Sequence, residues 1–278
     1  NWSWTADATG TSGHGTLNSG EVAHFRLSGN GGILFEFLSS ITGSGVQLGG
    51  LQVSREPGST ATIGRFQQDN EGGGTALIEW APNAIVDASI LDLGFWWNLG
   101  TTNDYTKVGA KRLEFGDGGR KLSGTMTIAA GEVRLNRIQT VDETSSFHLA
   151  GGNLALHAHA TSAGTFRDET KSIGKLSGSG SIVSSGGVAL TNTVLVLEGG
   201  IDMNDGDAAD KIEAGWGLSL TLGSSATSKL DIAKSSGSTT QDVIQIDWPD
   251  KTLTVFGGLD VKLLPGGDPL EAGDSFKI

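Results

Sequence analysis

The chain has 278 residues, with 44 Gly against 5 Pro, no Cys, a hydrophobic share of 37% and a formal net charge of −12. The missing Cys excludes disulfide staples, thiol catalysis and thiolate metal sites. The acidic balance argues against nucleic acid, whose phosphates need Lys and Arg, and favours divalent cations.

The first residues, Asn1-Trp2-Ser3-Trp4, read as the start of a processed mature chain with no signal peptide visible. Residues 1–20 are expected to form a cap or entry segment, with Trp2 and Trp4 plugging one end of the fold. From 21 to 278 helical spacing is scarce and period-2 alternation is common. Thr125-Met126-Thr127-Ile128, a corner at Gly131 and Glu132-Val133-Arg134-Leu135 read strand, corner, strand. Residues 146–156 repeat that pattern around Gly151-Gly152. Val194-Leu195-Val196-Leu197, Leu218-Ser219-Leu220-Thr221-Leu222 and Lys229-Leu230-Asp231-Ile232 are further short strands. Asp210-Lys211-Ile212 returns 32 positions later as Asp242-Val243-Ile244, and each is followed by another apolar run. Glycine at the corners supplies positive φ at low steric cost. Degenerate repetition of this kind predicts an all-β solenoid with ~20–25 residues per coil, each coil burying its face on the next. No apolar run approaches ~20 residues, so no helix is expected to span a bilayer.

Residues 122–135 resemble the repeat unit of autotransporter-associated β-strand repeat proteins, and 146–156 resemble the coil that follows it there. Glu21-Val22-Ala23-His24-Phe25 and Gly49-Gly50-Leu51-Gln52-Val53 resemble that family's opening motifs. Leu270-Glu271-Ala272-Gly273-Asp274-Ser275-Phe276-Lys277-Ile278 resembles its closing motif, cut at Ile278. The resemblance covers most of the chain in the expected order. It implies a secreted bacterial surface protein with a passenger-like, right-handed parallel β-helix, here one elongated domain over 21–278, and it implies no single shared activity. The chain departs from the pattern at Phe95-Trp96-Trp97, which is bulkier, and it carries neither a translocator barrel nor a sorting tail.

Candidate chemistry is sparse. Gly13-His14-Gly15 resembles a motif of β-helical pectin hydrolases, but the chain has no Asp-Asp pair, and glycoside hydrolysis needs two carboxylates across the bond. His157 and His159 share one face of a strand, with His148 nearby. They are either a solvated face or, with Asp168 or Glu169, a zinc set. Asp202, Asn204, Asp205, Asp207 and Asp210 form the densest group of hard oxygen ligands. Their spacing departs from the EF-hand template, which leaves a looser calcium turn or a solvated turn between coils. Calcium is the one cofactor that enters. No Ser has Gly on both sides at the spacing of a nucleophile elbow, so no catalytic residue is assigned. Trp96 and Trp97 would point to opposite faces of a strand, so one of them is a candidate contact for a sugar ring or a neighbouring subunit. Phe276 and Ile278 are the corresponding apolar candidates at the other end.

These features predict a non-enzymatic structural or adhesive protein of the bacterial surface or matrix, self-associating into fibres. The alternative is a carbohydrate-active β-helix, either a lyase or glycosidase or a glycan-binding module. Exposed Trp beside clustered carboxylates would favour the alternative. No nucleic acid and no transmembrane segment are expected.

Overall fold

A computed structural model describes residues 2–6, 22–27, 30–37, 46–55, 57–58, 60–68, 78–96, 101–116, 122–137, 140–158, 165–185, 190–215, 217–235, 238–247, 249–271 and 274–275. Before residue 79, side chains are described at 22–23, 48–54, 57–58 and 60, and Trp96 is described by its backbone alone. The chain forms two compact units, Asn1–Asp142 and Glu143–Ile278. Both are all-β with strongly curled, mainly parallel sheet, and no helix occurs among the described residues.

In the first unit the strands are β1 (Trp2–Ala6), β2 (Val22–Leu27), β3 (Asn30–Phe37), β4 (Val46–Arg55), β5 (Thr60–Gln68), β6 (Ile78–Asp87), β7 (Asp92–Trp96), β8 (Tyr105–Val108), β9 (Arg112–Phe115), β10 (Thr125–Ile128) and β11 (Glu132–Leu135). They pair in parallel as two interleaved ladders: β1, β2, β4, β6, β8 and β10 in one, and β3, β5, β7, β9 and β11 in the other. Segment 1–20, expected as a cap, thus contributes β1 to the first ladder. Side-chain bonds between successive coils here join residues 20 to 23 apart, inside the expected coil length.

Alternation along each strand stacks apolar residues into inward files, because successive side chains point to opposite faces. Leu93, Leu113 and Val133 form one file, and Phe95, Phe115 and Leu135 another. All six are buried, and the rings of Phe95 and Phe115 stack with centroids 6.1 Å apart. Burying each such side chain stabilises the fold by about 1.5–3 kcal/mol relative to exposure. One file breaks the rule: Lys107 sits between Val86 and Ile128 and is fully buried. Its ammonium donates to the carbonyls of Gly109, Lys111 and Ala130, which closes the corners of two successive coils. Gly131, with φ of 67°, makes room for it, since a Cβ there would lie 2.6 Å from the lysine Nζ.

The second unit contains β12 (Ser146–Ala150), β13 (Asn153–His157), β14 (Thr170–Ile173), β15 (Leu176–Ser185), β16 (Thr193–Leu197), β17 (Ile201–Asp202), β18 (Lys211–Ala214), β19 (Leu218–Leu222), β20 (Thr227–Ser235), β21 (Ser238–Gln241), β22 (Val243–Ile246), β23 (Leu253–Val255) and β24 (Gly258–Leu263). Three parallel ladders run through it: β12–β15–β17–β20–β24, β13–β15–β18–β22 and β14–β16–β19–β23. Strand β15 serves two ladders because it turns at Gly178, where φ is 75°. The repeat read in the sequence is a physical neighbour pair, since Lys211 and Ile212 lie in register with Val243 and Ile244. Coils here range from 23 residues, at the Thr191–Asp168 bond, to 33, at the Thr252–Ser219 bond, and so reach longer than those of the first unit. The one antiparallel pairing among the described strands is the β20–β21 hairpin.

Candidate functional site

Two features of the second unit stand out from its regular core: a group of buried carboxylates under the 203–210 turn, and an uncovered apolar edge.

The acidic run divides. Asp202 lies at the end of β17, and its carboxylate accepts a bond of 3.2 Å from Lys175. Asn204 accepts from the ammonium of Lys262 at 3.1 Å. The Asp205 carboxylate folds back on the Asp207 backbone N–H at 2.9 Å, a local turn bond of the kind Asp favours. Asp210 alone turns inward, and its Oδ2 is buried without a hydrogen-bond partner. Burial, then the charges of Asp205 and Asp207 and a side-chain contact with the Asp205 carboxyl, raise the Asp210 carboxyl above the usual range, against the opposing effect of His148. Among the described residues no three His, Asp or Glu side chains are arranged to hold a metal ion.

Two residues outside the sequence-based set complete this group. Asp231 and Asp242 are both buried, on the β20–β21 hairpin and its junction with β22. Asp242 accepts from the backbone N–H of Asp210 at 3.1 Å and of Asp231 at 2.6 Å. Asp231 accepts from the N–H of Gly206 at 2.9 Å, while its Oδ1 is buried and unpartnered. Burial outweighs the backbone bonds and pushes the Asp242 carboxyl up to about 6. Asp242 was detectable in the sequence as the repeat partner of Asp210. Asp231 was not, because alternation in Lys229-Leu230-Asp231-Ile232 places it on the outer face, and only the folded-over turn and hairpin cover that face.

The histidines do not form a metal set among the described residues. His148 Nδ1 lies 3.0 Å from the Ser177 hydroxyl, its register partner on the neighbouring strand. Ser177 sits inside β15 between β12 and β17, so its backbone lies within the ladder. Asp168, at φ of 54°, accepts from the backbone N–H of Asn192 at 3.1 Å and from the Thr191 hydroxyl, which ties one corner to the next. His159, Trp97, Phe276, Ile278 and the Gly13-His14-Gly15 motif lie outside the described residues, as does the Trp96 side chain. Trp80 is fully buried. In the first unit Arg112 lies 2.9 Å from Asp92, 3.8 Å from Glu114 and 3.9 Å from Glu132, and Arg134 lies 3.5 Å from Glu114, so these acids are paired with arginines across successive coils.

At the edge, the inward files emerge into solvent. Leu222 is 1% exposed and its register partner Val255 is 45% exposed. Leu230 and Ile232 are 1% and 6% exposed, whereas their partners Val261 and Leu263 are 40% and 39% exposed. Leu259, Leu270 and Phe256 are exposed as well. Every residue of β24 is exposed. Comparison of the chain with protein-family models, with curated proteins and with solved structures finds no match.

Proposed function

We propose that this chain is a non-enzymatic structural or adhesive protein of the bacterial surface or matrix, built as a right-handed β-solenoid of the autotransporter-associated repeat type, and that it lengthens by stacking coil on coil between copies. The observation that carries the reading is the β24 edge. Its Val261 and Leu263 continue files that are buried in the preceding coil, and among the described strands β24 pairs on one side alone, with β20. A further parallel strand would bury those side chains and pair with the other side, so the edge has the chemistry of a coil-docking surface. The ordered run of family-like motifs supports the secreted bacterial setting.

Stacking that does not close on itself builds filaments. The net charge of −12 opposes it at low ionic strength, so added salt promotes it. Sedimentation velocity and negative-stain images of the chain at NaCl concentrations from about 0.05 to about 1 M test this. The double variant V261K/L263K is expected to weaken association by about 100-fold or more, since it places two charges on the docking face. A chain that stays monomeric under every condition refutes the reading. Specific retention on a polysaccharide matrix without self-association would favour the glycan-binding alternative.

A further inference from the structure

We propose that Asp210, Asp231 and Asp242 form a proton-operated latch, which holds the β20–β21 hairpin against the 203–210 turn while the group keeps a proton and loosens it when that proton is lost. The proposal does not depend on the assembly reading above.

The geometry supplies the argument. Three chain segments meet through these carboxylates rather than through regular ladder bonds alone. The turn is tied to the hairpin by Gly206 N–H donating to Asp231, at 2.9 Å. The approach to β18 is tied to the hairpin by Asp210 N–H donating to Asp242, at 3.1 Å. The hairpin is tied to itself by Asp231 N–H donating to the same Asp242 carboxylate, at 2.6 Å, and by Asp242 N–H donating to the Asp231 carbonyl at 3.0 Å. Asp210 in turn passes its carbonyl to the N–H of Val243, the first residue of β22, at 2.9 Å. Loosening the carboxylates therefore loosens the start of β22 as well as the hairpin.

The same group carries a surplus of negative charge out of water. Asp231 is 0% exposed and Asp242 is 1% exposed. Two carboxylate oxygens, Oδ1 of Asp231 and Oδ2 of Asp210, are buried and lack any donor. The charged groups that act on Asp210 are Asp205 and Asp207 from the turn and His148 from β12, and those that act on Asp242 are Asp210 and Asp231. Like charges outnumber the one opposing group, and buried unpartnered carboxylate oxygens are costly. A proton removes one charge and supplies an O–H donor where none exists. Both Asp242 oxygens accept from backbone N–H groups and one Asp210 oxygen is bare, so Asp210 and Asp242, whose charges act on each other, hold the proton between them.

The direction follows from where the folded group holds its proton. Burial and like charges raise Asp210 and lift Asp242 from 3.8 to about 6. The folded state thus binds a proton that the unfolded chain has released. Its contribution is fully present below the ordinary carboxylate range and is lost as pH rises through about 6. The latch is tight in mildly acidic solution and weak at neutral pH and above.

Hydrogen exchange on the intact chain, at about pH 5 and about pH 7.5 and corrected for intrinsic chemistry, reads this directly. The backbone amides of Gly206, Asp210, Asp231 and Asp242 are expected to lose about tenfold protection at the higher pH relative to those of β16, the internal reference. D210N and D231N are each expected to abolish that difference and to keep protection at the higher pH, since each neutralises a bare carboxylate, and D231N retains an acceptor for Gly206. Two variants keep the test informative if one of them does not fold. Protection independent of pH in the parent chain, or a pH effect that survives in both variants, overturns the latch. So does recovery of protection at the higher pH on adding calcium chloride at about 1 mM, a level that would fill weak extracellular-type sites, because a metal and not a proton would then neutralise the group.

Discussion

Replacing Trp80 with alanine is expected to destabilise the first unit by about 3–5 kcal/mol, the range for removing a fully buried large aromatic side chain from a core. Trp80 is the largest fully buried side chain among the described residues. Its ring meets Phe95 edge-on at 5.4 Å and lies 6.0 Å from Tyr105, so it joins residues from β6, β7 and β8. Its backbone carbonyl accepts from the Asn103 amide at 2.9 Å, which ties the same point to the next coil. The indole N–H has no partner, a cost that phenylalanine at this position would not carry. W80F is therefore expected to lose less than W80A, mainly for the smaller ring. Urea unfolding followed by far-UV circular dichroism, with hydrogen exchange on β6 and β8 amides to localise the effect, measures both. A W80A variant within about 1 kcal/mol of the parent would contradict this account of the core.

Lys107→Met is expected to cost about 3 kcal/mol at neutral pH, because it leaves the carbonyls of Gly109, Lys111 and Ala130 without their donor in a closed corner. Methionine matches the volume and the apolar file between Val86 and Ile128, so lost hydrogen bonding and not a cavity dominates. Burial pushes the lysine down to about 8, opposed by the carboxylates of Asp92, Glu132 and Asp87, so it stays charged at neutral pH. Between that value and the unfolded value of 10.5 the unfolded chain holds a proton that the folded chain has released, so this group makes the parent more stable as pH rises through the window. The stability difference between parent and variant should widen by about 1–2 kcal/mol from neutral pH to about pH 9.5. Urea titrations of both proteins at the two pH values give that difference. An unchanged or narrowing gap would show that the lysine is not held as described.

The strands were legible because their signal is local. Alternation in Thr125-Met126-Thr127-Ile128 and Glu132-Val133-Arg134-Leu135, with glycine between, requires only that one face be buried, and both segments are strands with every second residue inside. The return of Asp210-Lys211-Ile212 as Asp242-Val243-Ile244 named a true neighbour pair, because stacked coils place equivalent residues side by side. The acidic run was legible as a cluster but not as an arrangement. Its members separate according to what lies above and below them: lysines for Asp202 and Asn204, and a hairpin for Asp210.

The sequence by itself determined an all-β chain of short strands turned by glycine, together with the partners of its repeats, since side-chain alternation and corner geometry are properties of a few consecutive residues. Only the tertiary structure decided which polar residues leave water. Lys107 replaces an apolar residue in an inward file because three corner carbonyls converge on it, and Asp231 lies on an outward face that a turn and a hairpin then cover. It also decided where burial stops, at β24, whose apolar residues look like those of any inner strand and differ only in having no coil beyond them among the described residues. Burial is set by what packs against a residue, and part of that packing comes from distant positions in the chain, Ala130 for Lys107 and Gly206 for Asp231.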